Sequence, residues 1–159
     1  MLILRKADLS DMITVFNWAN DPVVRLNAFN QNSILFEDHK RWFASKVQNP
    51  NMLFLILEEN HQPAGQIRYE PDANEVVINY MIGERYRGTG LGTKILLLGE
   101  KYISSNRAFP WNTVAVGYVK KENVPSVKAF ERAGYKIVTN NHPHYGEAIK
   151  FEKLIYYEN

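Results

Sequence analysis

The sequence contains no cysteine among its 159 residues, and this absence excludes several kinds of site. Without thiols there is no disulfide framework, no thiolate metal site and no cysteine nucleophile. A large excess of charge is also missing, because the formal net charge is only +2. Such a small charge gives no reason to expect a nucleic acid partner. The longest apolar runs, such as MLFLIL, are too short to cross a bilayer, so we expect no membrane partner.

What remains is the composition of an ordinary globular domain. About 45% of the residues are hydrophobic and 23% are charged, and the chain is long enough to bury a sizeable core. No repeat, low-complexity segment or linker divides it. We therefore expect a single domain over residues 1–159. The lack of cysteine and of a signal-like N-terminal segment favours a cytoplasmic location.

Apolar periodicity and turn residues predict a mixed α/β (α+β) fold. Seven segments are predicted to be strands: LILRKA, MLFLILEE, AGQIRYEP, EVVINYMI, NTVAVGYVK, YKIVTN and AIKFEKLIYY. Four are predicted to be helices: DLSDMITVFNWAND, FEDHKRWFASKVQ, LGTKILLLGEKYISSN and NVPSVKAFERAG. The connection VVRLNAFNQNSIL is expected to be irregular. Short connections between the middle strands favour antiparallel hairpins, and we expect a mostly antiparallel sheet of about seven strands flanked by helices.

The most informative stretch is RYRGTGLGTK, residues 85–94, between a predicted strand and a long predicted helix. A helix N-terminus leaves backbone N–H groups unpaired and binds anions, and glycines let the backbone approach a phosphate closely. A Walker A loop is excluded because the glycine spacing is too short and Lys94 follows Thr93. A dinucleotide fingerprint is excluded because Thr93 stands at its third glycine and the loop follows an antiparallel region.

The remaining pattern, R-x-x-G-x-G from Arg85 to Gly90, resembles the pyrophosphate loop of the GNAT superfamily of N-acetyltransferases. Further along, ENVPSVKAFERAGY resembles the N-x-x-(A/S)…G-(F/Y) element of the acetyl-CoA arm in that family. The resemblance covers nearly the whole chain. It implies the GNAT fold and an acyl-CoA-dependent N-acetyltransferase. Acetyl-CoA would be the co-substrate, and an amine would attack its thioester directly.

The resemblance also implies a set of cofactor-binding residues on the strand, the loop and the two following helices. They are Met81, Ile82, Arg85, Arg87, Gly88, Gly90, Gly92, Thr93, Asn123 and Lys128. The backbones of Met81 and Ile82 would pair with the pantetheine arm, and one N–H would polarise the thioester carbonyl. Lys128 would reach the 3′-phosphate. A solvated surface charge for Lys128 and a plain helix cap for Asn123 are the alternatives.

The catalytic residues implied by the family are only partly present. Glu75 stands where many members carry the general base, with a solvated hairpin glutamate as the alternative reading of this residue. Glu37, Asp21 and His39 from the first helices are the other candidates for the base. The usual general acid, a Tyr seven residues after the Asn, is replaced by Phe130. Tyr118 is our candidate replacement, with Tyr145 or solvent as alternatives. We expect no metal, because no carboxylate near His142 and His144 completes a ligand set.

The acceptor is predicted from the first helices and their connection. The opening W-x-N-D-P-x-V-R resembles acetyltransferases of ribosomal-protein N-termini and of nucleotide-linked amino sugars in the pseudaminic acid pathway, and the longer pattern favours the second. Arg25 can hold an anion bidentately, Asn30 suits sugar hydroxyls, and Trp42 can stack on a base or sugar. We also expect His39 to contact the acceptor, because a histidine side chain ordinarily titrates near neutrality. A salt bridge for Arg25 and packing roles for His39 and Trp42 are the alternatives.

We therefore expect a small-molecule amine acceptor, and we prefer the 4-amino group of a sugar nucleotide. One alternative is a protein N-terminal or small-amine acetyltransferase acting on polyamines or antibiotics. The other is a non-catalytic acetyl-CoA-binding module, which the phenylalanine at Phe130 favours. A homodimer is left open.

Overall fold

One sheet of seven strands organises the computed structural model, which describes residues 1–110 and 113–157. The strands are β1 Leu2–Lys6, β2 Leu53–Glu59, β3 Gln62–Asp72, β4 Glu75–Ile82, β5 Val114–Val119, β6 Lys136–His142 and β7 Gly146–Leu154. Their order is β1-β2-β3-β4-β5-β7-β6, and β4 and β5 are parallel whereas the other neighbours are antiparallel. The predicted fold class is thereby confirmed. The predicted start of β5 at Asn112 lies outside the described residues.

Helices cover both faces of the sheet. They are α1 Met12–Ala19, α2 Pro22–Asn27, α3 Phe36–Gln48, α4 Leu91–Asn106 and α5 Val124–Arg132. Helix α2 falls in the connection that we expected to be irregular. It forms because the Asp21 carboxylate accepts hydrogen bonds from the backbone N–H groups of Val23 and Val24, and Pro22 suits a first helical turn. Among the described residues, we found no helix long and apolar enough to cross a membrane.

The alternation of side chains along the strands divides the core between the two faces of the sheet. The larger cluster lies on the face that α4 and α5 cover, and includes Leu55, Ile67, Tyr69, Ile95, Leu96 and Phe151. The smaller cluster lies on the face that α1 and α3 cover, and consists of Val15, Phe43, Phe54 and Ile56. The larger cluster spans the middle of the sheet, whereas the smaller one lies mainly over β2, so the two clusters pack the sheet from opposite faces.

Strands β4 and β5 pair only where they begin. Residues 75–77 of β4 lie opposite residues 114–116 of β5. Beyond that point β4 continues beside β3 and β5 continues beside β7. The edges of residues 78–82 and 117–119 that face one another are therefore unpaired and enclose a wedge in the middle of the sheet. Unpaired strand edges are ready to pair with another extended chain.

Phe130, which stands where the family has a tyrosine, lies directly on β5. Its ring stacks on Phe151, with centroids 5.1 Å apart, and meets Tyr135 edge-on at the same distance. The Phe130 ring can lie this close to the backbone of β5 because Gly117 has no side chain, and a Cβ at Gly117 would collide with the ring. Phe130 is 2% exposed and is a core residue.

Replacing Gly117 by alanine should therefore destabilise the fold. We expect Gly117→Ala to lower the free energy of unfolding by about 2 kcal/mol, because overpacking a dense core forces its neighbours to move. Urea denaturation measures the loss. In the double variant Gly117→Ala/Phe130→Leu the loss should be smaller than the sum of the two single losses, because the smaller side chain leaves room for the methyl group. Additive losses would contradict this account of the contact.

Candidate functional site

The wedge between β4 and β5 opens into a cleft of about 960 Å³. One wall is formed by the N-terminal turns of α4 and α5, and the other by α1, α2, α3 and their connections. The cleft brings together most of the predicted site residues: Arg25, His39, Trp42, Met81, Ile82, Arg87, Gly88, Gly90, Gly92, Thr93, Tyr118, Asn123 and Lys128. Asn30, Glu75 and Arg85 lie outside its lining.

The glycine-rich loop presents backbone N–H groups to the cleft. Gly88 and Gly90 have φ values of 74° and 81°, a left-handed conformation that glycine adopts without strain. Gly90 is the N-cap of α4, and the Thr89 hydroxyl donates a hydrogen bond to the carbonyl of Tyr86 (2.6 Å). The first N–H groups of a helix have no partner within it, so Gly92 and Thr93 stand in an anion-binding turn. The geometry thus matches the predicted phosphate loop.

Arg87 is used to hold this loop in place. Its Nε donates to the carbonyl of Ile82 (3.2 Å), and its Nη2 lies 2.9 Å from the Asp21 carboxylate. Burial alone would raise the pKa of Asp21, but hydrogen bonds from Arg87 and from the N–H groups of Val23 and Val24 outweigh it and keep the pKa below its usual value. Arg87 therefore joins the loop to the start of α2, so part of the guanidinium that we predicted as a cofactor ligand is already occupied.

The charges available to a phosphate come instead from α5. Lys128 and Arg132 are exposed and line the cleft beside the loop. Arg85 is exposed in the 3-10 turn Glu84–Tyr86 and is not among the residues that line the cleft. Its prediction as a cofactor ligand is therefore not supported. Arg132 was not predicted, although it lies one helical turn after Lys128 and follows the same face of α5.

The direction of the backbone in β4 corrects the prediction for Met81. The N–H of Gly83 donates to Ala64 in the segment of β3 (2.8 Å), and the carbonyl of Met81 lies against Gly65 on the same side. Consecutive residues of a strand point their backbone groups to opposite edges. Tyr80 and Ile82 therefore face the wedge, and Met81 faces β3. Since the carbonyl of Ile82 accepts from Arg87, the N–H groups of Tyr80 and Ile82 are the donors that a bound molecule would meet.

A side-chain hydrogen bond joins β4 to α5 at the cleft. The Tyr80 hydroxyl donates to the Ser126 hydroxyl (3.0 Å), and burial raises the pKa of Tyr80, so the phenol stays protonated. The N–H of Ser126 donates to the Asn123 side chain at 3.4 Å, which makes Asn123 a helix cap that also lines the cleft. Both roles considered for Asn123 are compatible with this geometry.

Aromatic side chains join the walls at the opposite end of the cleft. Phe29, after α2, stacks on Tyr145 in the last hairpin, with centroids 5.1 Å apart and an interplanar angle of 6°. His142 packs against Phe29 at 4.9 Å and against Tyr118 at 4.4 Å. Phe29 and Tyr118 both line the cleft. The connection after α2 and the β6–β7 hairpin thus meet above the acceptor side.

Arg25 holds the backbone of the connection together, which corrects its prediction as an anion ligand. Its Nε donates to the carbonyl of Ala19 (2.6 Å), and its Nη1 donates to the carbonyls of Asn30 (3.1 Å) and Asn32 (3.2 Å). The Asn30 side chain accepts from the N–H of Asn32 (3.0 Å) and is exposed, so it shapes the turn and does not reach the cleft.

His39 is also structural. It is 2% exposed, and its Nε2 donates to the carbonyl of Met12 (2.9 Å). Burial lowers the pKa of His39, so the ring stays neutral near pH 7 with the proton fixed on Nε2. It packs against Trp42 and Phe43, with centroids 5.6 Å away in each case, and links α3 to α1. These contacts favour a packing role for His39 over the predicted role as a substrate-binding residue.

Glu75 is the first residue of β4 and lies outside the cleft lining, so the structure gives no direct support to its prediction as the base. It lies three residues before the wedge begins at residue 78, about 10 Å along a strand that rises 3.3 Å per residue. Its carboxylate accepts a hydrogen bond from Lys150 (2.8 Å), and this bond is the main reason that the pKa of Lys150 is raised. The Lys150 ammonium lies 5.7 Å from the centre of the Tyr118 ring. Glu75 is therefore linked to the cleft residue Tyr118 indirectly, through Lys150.

Two residues that the sequence reasoning missed face the acceptor side of the cleft. Arg68 on β3 lies directly opposite Asn79 on β4, and both line the cleft. The sequence contained a signal for both residues. Alternation along the strand puts Asn79 on the same face of the sheet as Met81, and the predicted hairpin puts a residue of β3 opposite Asn79. The pairing register was needed to identify that residue as Arg68.

Comparison with known proteins identifies the family. A model described as the acetyltransferase (GNAT) domain matches residues 1–136. The chain belongs to the GNAT acetyltransferase family. The superfamily predicted from the loop, and with it the prediction of an N-acetyltransferase domain, is thereby confirmed. A search of the curated proteins found no match.

Solved structures of the GNAT type share the fold at low sequence identity. Spermidine N-acetyltransferase from Vibrio cholerae, solved with CoA and spermine, is 14% identical with a TM-score of 0.83, covering 97% of this chain and 95% of that one. The aminoglycoside acetyltransferase AAC(6')-Ib, solved with ribostamycin and coenzyme A, is 16% identical with a TM-score of 0.81, covering 96% and 93%. The putative acetyltransferase yncA from Salmonella typhimurium, solved with acetyl-CoA, is 16% identical with a TM-score of 0.78, covering 100% and 96%.

The hydrogen bonds of Arg25 predict a loss of stability in its variants. We expect Arg25→Gln to lower the free energy of unfolding by about 2 kcal/mol, because the partly buried carbonyl of Ala19 loses a charged donor and two exposed carbonyls lose the donor that holds their turn. Thermal denaturation measures the loss. The matched control is Arg41→Gln, which removes an exposed arginine from α3 and should change stability by less than about 0.5 kcal/mol. Equal stability of the two variants would contradict the structural role.

Proposed function

We propose that this GNAT domain binds acetyl-CoA in the wedge and transfers the acetyl group to an amine. The observation that carries the proposal is the convergence of the unpaired edge of β4 with the N-terminal turn of α4 in one cleft. The pyrophosphate would lie at Gly88, Gly90 and Gly92, where backbone N–H groups favour anions. The exposed cations Lys128 and Arg132 would meet the remaining phosphate. The solved relatives that carry CoA or acetyl-CoA support this assignment.

The pantetheine arm would extend along β4 as an added strand. Tyr80 and Ile82 offer the N–H groups that face the wedge, and one of them would stabilise the oxyanion that develops on the thioester carbonyl. The neutral amine nitrogen would attack this carbon, the C–S bond would break, and the CoA thiolate would leave with the electron pair, while the proton released from the nitrogen would pass to solvent. Tyr118, which lines the cleft, is the proposed donor of the proton that this thiolate takes up. Glu75 would act indirectly, by positioning Lys150 beside Tyr118.

For the acceptor we propose an amine that also carries an anionic group, with a nucleotide-linked amino sugar preferred. The cationic Arg68 and the aromatic pair Phe29 and Tyr145 support this preference, because they suit a phosphate and a base or sugar ring. The second candidate is a cationic small amine, favoured by the likeness to the aminoglycoside and spermidine enzymes. A thiol-release assay with a UDP-linked amino sugar, a peptide with a free N-terminus, spermidine and kanamycin separates these candidates. CoA release with none of them would favour the non-catalytic module.

Acetyl-CoA binding should raise thermal stability. Saturation at 100 times Kd adds about 2.7 kcal/mol to the free energy of unfolding, because the ligand binds only the folded state. We expect Lys128→Glu to weaken the affinity about tenfold, or about 1.4 kcal/mol, because the new charge repels phosphate. The matched control Lys101→Glu changes an exposed residue of α4 outside the cleft lining and should bind like the wild type. The absence of any thermal shift with acetyl-CoA would overturn the assignment of the wedge.

Removing the Tyr118 hydroxyl should slow turnover. We expect Tyr118→Phe to reduce kcat about 100-fold, the usual contribution of a general acid. Acetyl-CoA affinity should stay the same. The matched control Tyr156→Phe alters an exposed tyrosine outside the cleft lining and should leave kcat unchanged. An unchanged kcat in Tyr118→Phe would assign proton donation to solvent or another group.

A further inference from the structure

The wall of the cleft on the side of α1 and α3 contains a largely buried arginine that takes no part in the proposed acetyl transfer itself. Arg68 projects from β3, lines the cleft, and has a side chain that is 13% exposed. Its guanidinium carbon lies 4.8 Å from the centre of the Trp42 ring and 5.7 Å from that of Phe54. The attraction between the cation and the faces of these rings limits the motion of the guanidinium, so the group is preorganised.

The charge of Arg68 is only partly compensated by the described residues. Its Nε donates to the Glu70 carboxylate (3.1 Å), and the same carboxylate accepts from Lys46 (3.2 Å). Two cations thus share one carboxylate. Burial lowers the pKa of Arg68, yet a guanidinium remains protonated in proteins. The hydrogen bond to Glu70 uses one of its five N–H groups, and an excess positive charge remains in the wall.

A second donor stands beside the guanidinium. Asn79 lies opposite Arg68 in the β3–β4 register and is exposed to the cleft. Its side-chain oxygen accepts from the Gln66 amide (3.3 Å), which leaves the amide nitrogen of Asn79 as a donor. Asn79 directly precedes Tyr80, whose N–H faces the wedge. The two donors therefore lie next to the point at which the acetyl group would be transferred.

We propose that Arg68, held against Trp42 and assisted by Asn79, binds an anionic group of the acceptor, a carboxylate or a phosphate. This inference rests on the proposed function, because it assigns the substrate class of the same cleft. A planar guanidinium with free N–H groups matches both anions in a bidentate manner. Polycationic acceptors would meet a like charge at this position, which disfavours them. The site thus selects amines that carry a negative charge near the nitrogen.

Matched pairs of acceptors test this selection in the wild-type protein. Glucosamine 6-phosphate is compared with glucosamine, and an amino acid is compared with its amide, under saturating acetyl-CoA. We expect the anionic member of at least one pair to have at least a tenfold higher kcat/KM. A phosphate-only preference and a carboxylate-only preference distinguish the two sources of the anion. Equal use of both members in both pairs, or a preference for spermidine over every anionic acceptor, overturns the proposal.

Variants of Arg68 test whether this residue causes the preference for the anionic acceptor. Arg68→Gln should raise KM for the anionic acceptor about tenfold or more, leave kcat nearly unchanged, and bring the pair close to equality. Arg68→Lys keeps the charge but loses the planar fork, so an intermediate preference is expected. The matched control Arg107→Gln removes an exposed arginine outside the cleft lining and should retain the full preference. A preference that persists in both Arg68 variants contradicts the assignment.

A binding measurement keeps the test independent of turnover. Inorganic phosphate and acetate are titrated calorimetrically into protein saturated with CoA, so that the phosphate loop is already filled. The wild type and Arg107→Gln should bind at least one of these anions, and Arg68→Gln should bind it at least tenfold more weakly. Equal binding by all three proteins, or none by the wild type, overturns the anion site. Failure of the proposed function is recognised separately, because it removes the thermal shift with acetyl-CoA.

Discussion

The structure depends on the early end of the parallel pairing between β4 and β5. The two strands are joined over residues 75–77 and 114–116, and each then stays beside its antiparallel neighbour on the far edge. Their facing backbone groups cannot satisfy one another beyond this point. Because buried N–H and C=O groups need partners, a bound extended molecule would complete the sheet where the protein leaves it open. The placement of the phosphate loop, the cleft and the acceptor wall follows from this gap.

The alternation of β4 separates the two tasks of the cleft. The backbone groups of Tyr80 and Ile82 point into the wedge, while the side chain of Asn79 lines the acceptor wall. The Tyr80 side chain turns the other way and ties β4 to α5 through Ser126. Donor and acceptor would therefore approach the same short strand from two directions. A shift of one residue in the β3–β4 register would exchange these roles, and the two hydrophobic clusters on opposite faces of the sheet prevent such a shift.

Local signals predicted the elements well, and long-range contacts decided the roles of the arginines. Helices α3 and α4 begin and end at the predicted residues, because apolar periodicity marks both, Asn49 and Pro50 follow the end of α3, and Gly90 precedes the start of α4. Arg25 and Arg87 have the same chemistry as Arg68, but backbone carbonyls and Asp21 capture the first two. Which arginine stays available depends on how distant segments fold together, and periodicity carries no such information. Glu75 shows a related effect, because Lys150, which binds its carboxylate, comes from β7.

The way in which the cofactor would be held explains why likeness of fold leaves the acceptor open. Glycine and backbone N–H groups supply most of the proposed donor site, so they constrain few side chains. Side chains from β3, β4 and the first helices form the acceptor wall, and these can change without altering the fold. Structures with TM-scores near 0.8 and identities of 14–16% are consistent with this division. The sign of the charge at Arg68 is therefore a better guide to the acceptor than the overall likeness, because it lies on the surface that the acceptor would touch.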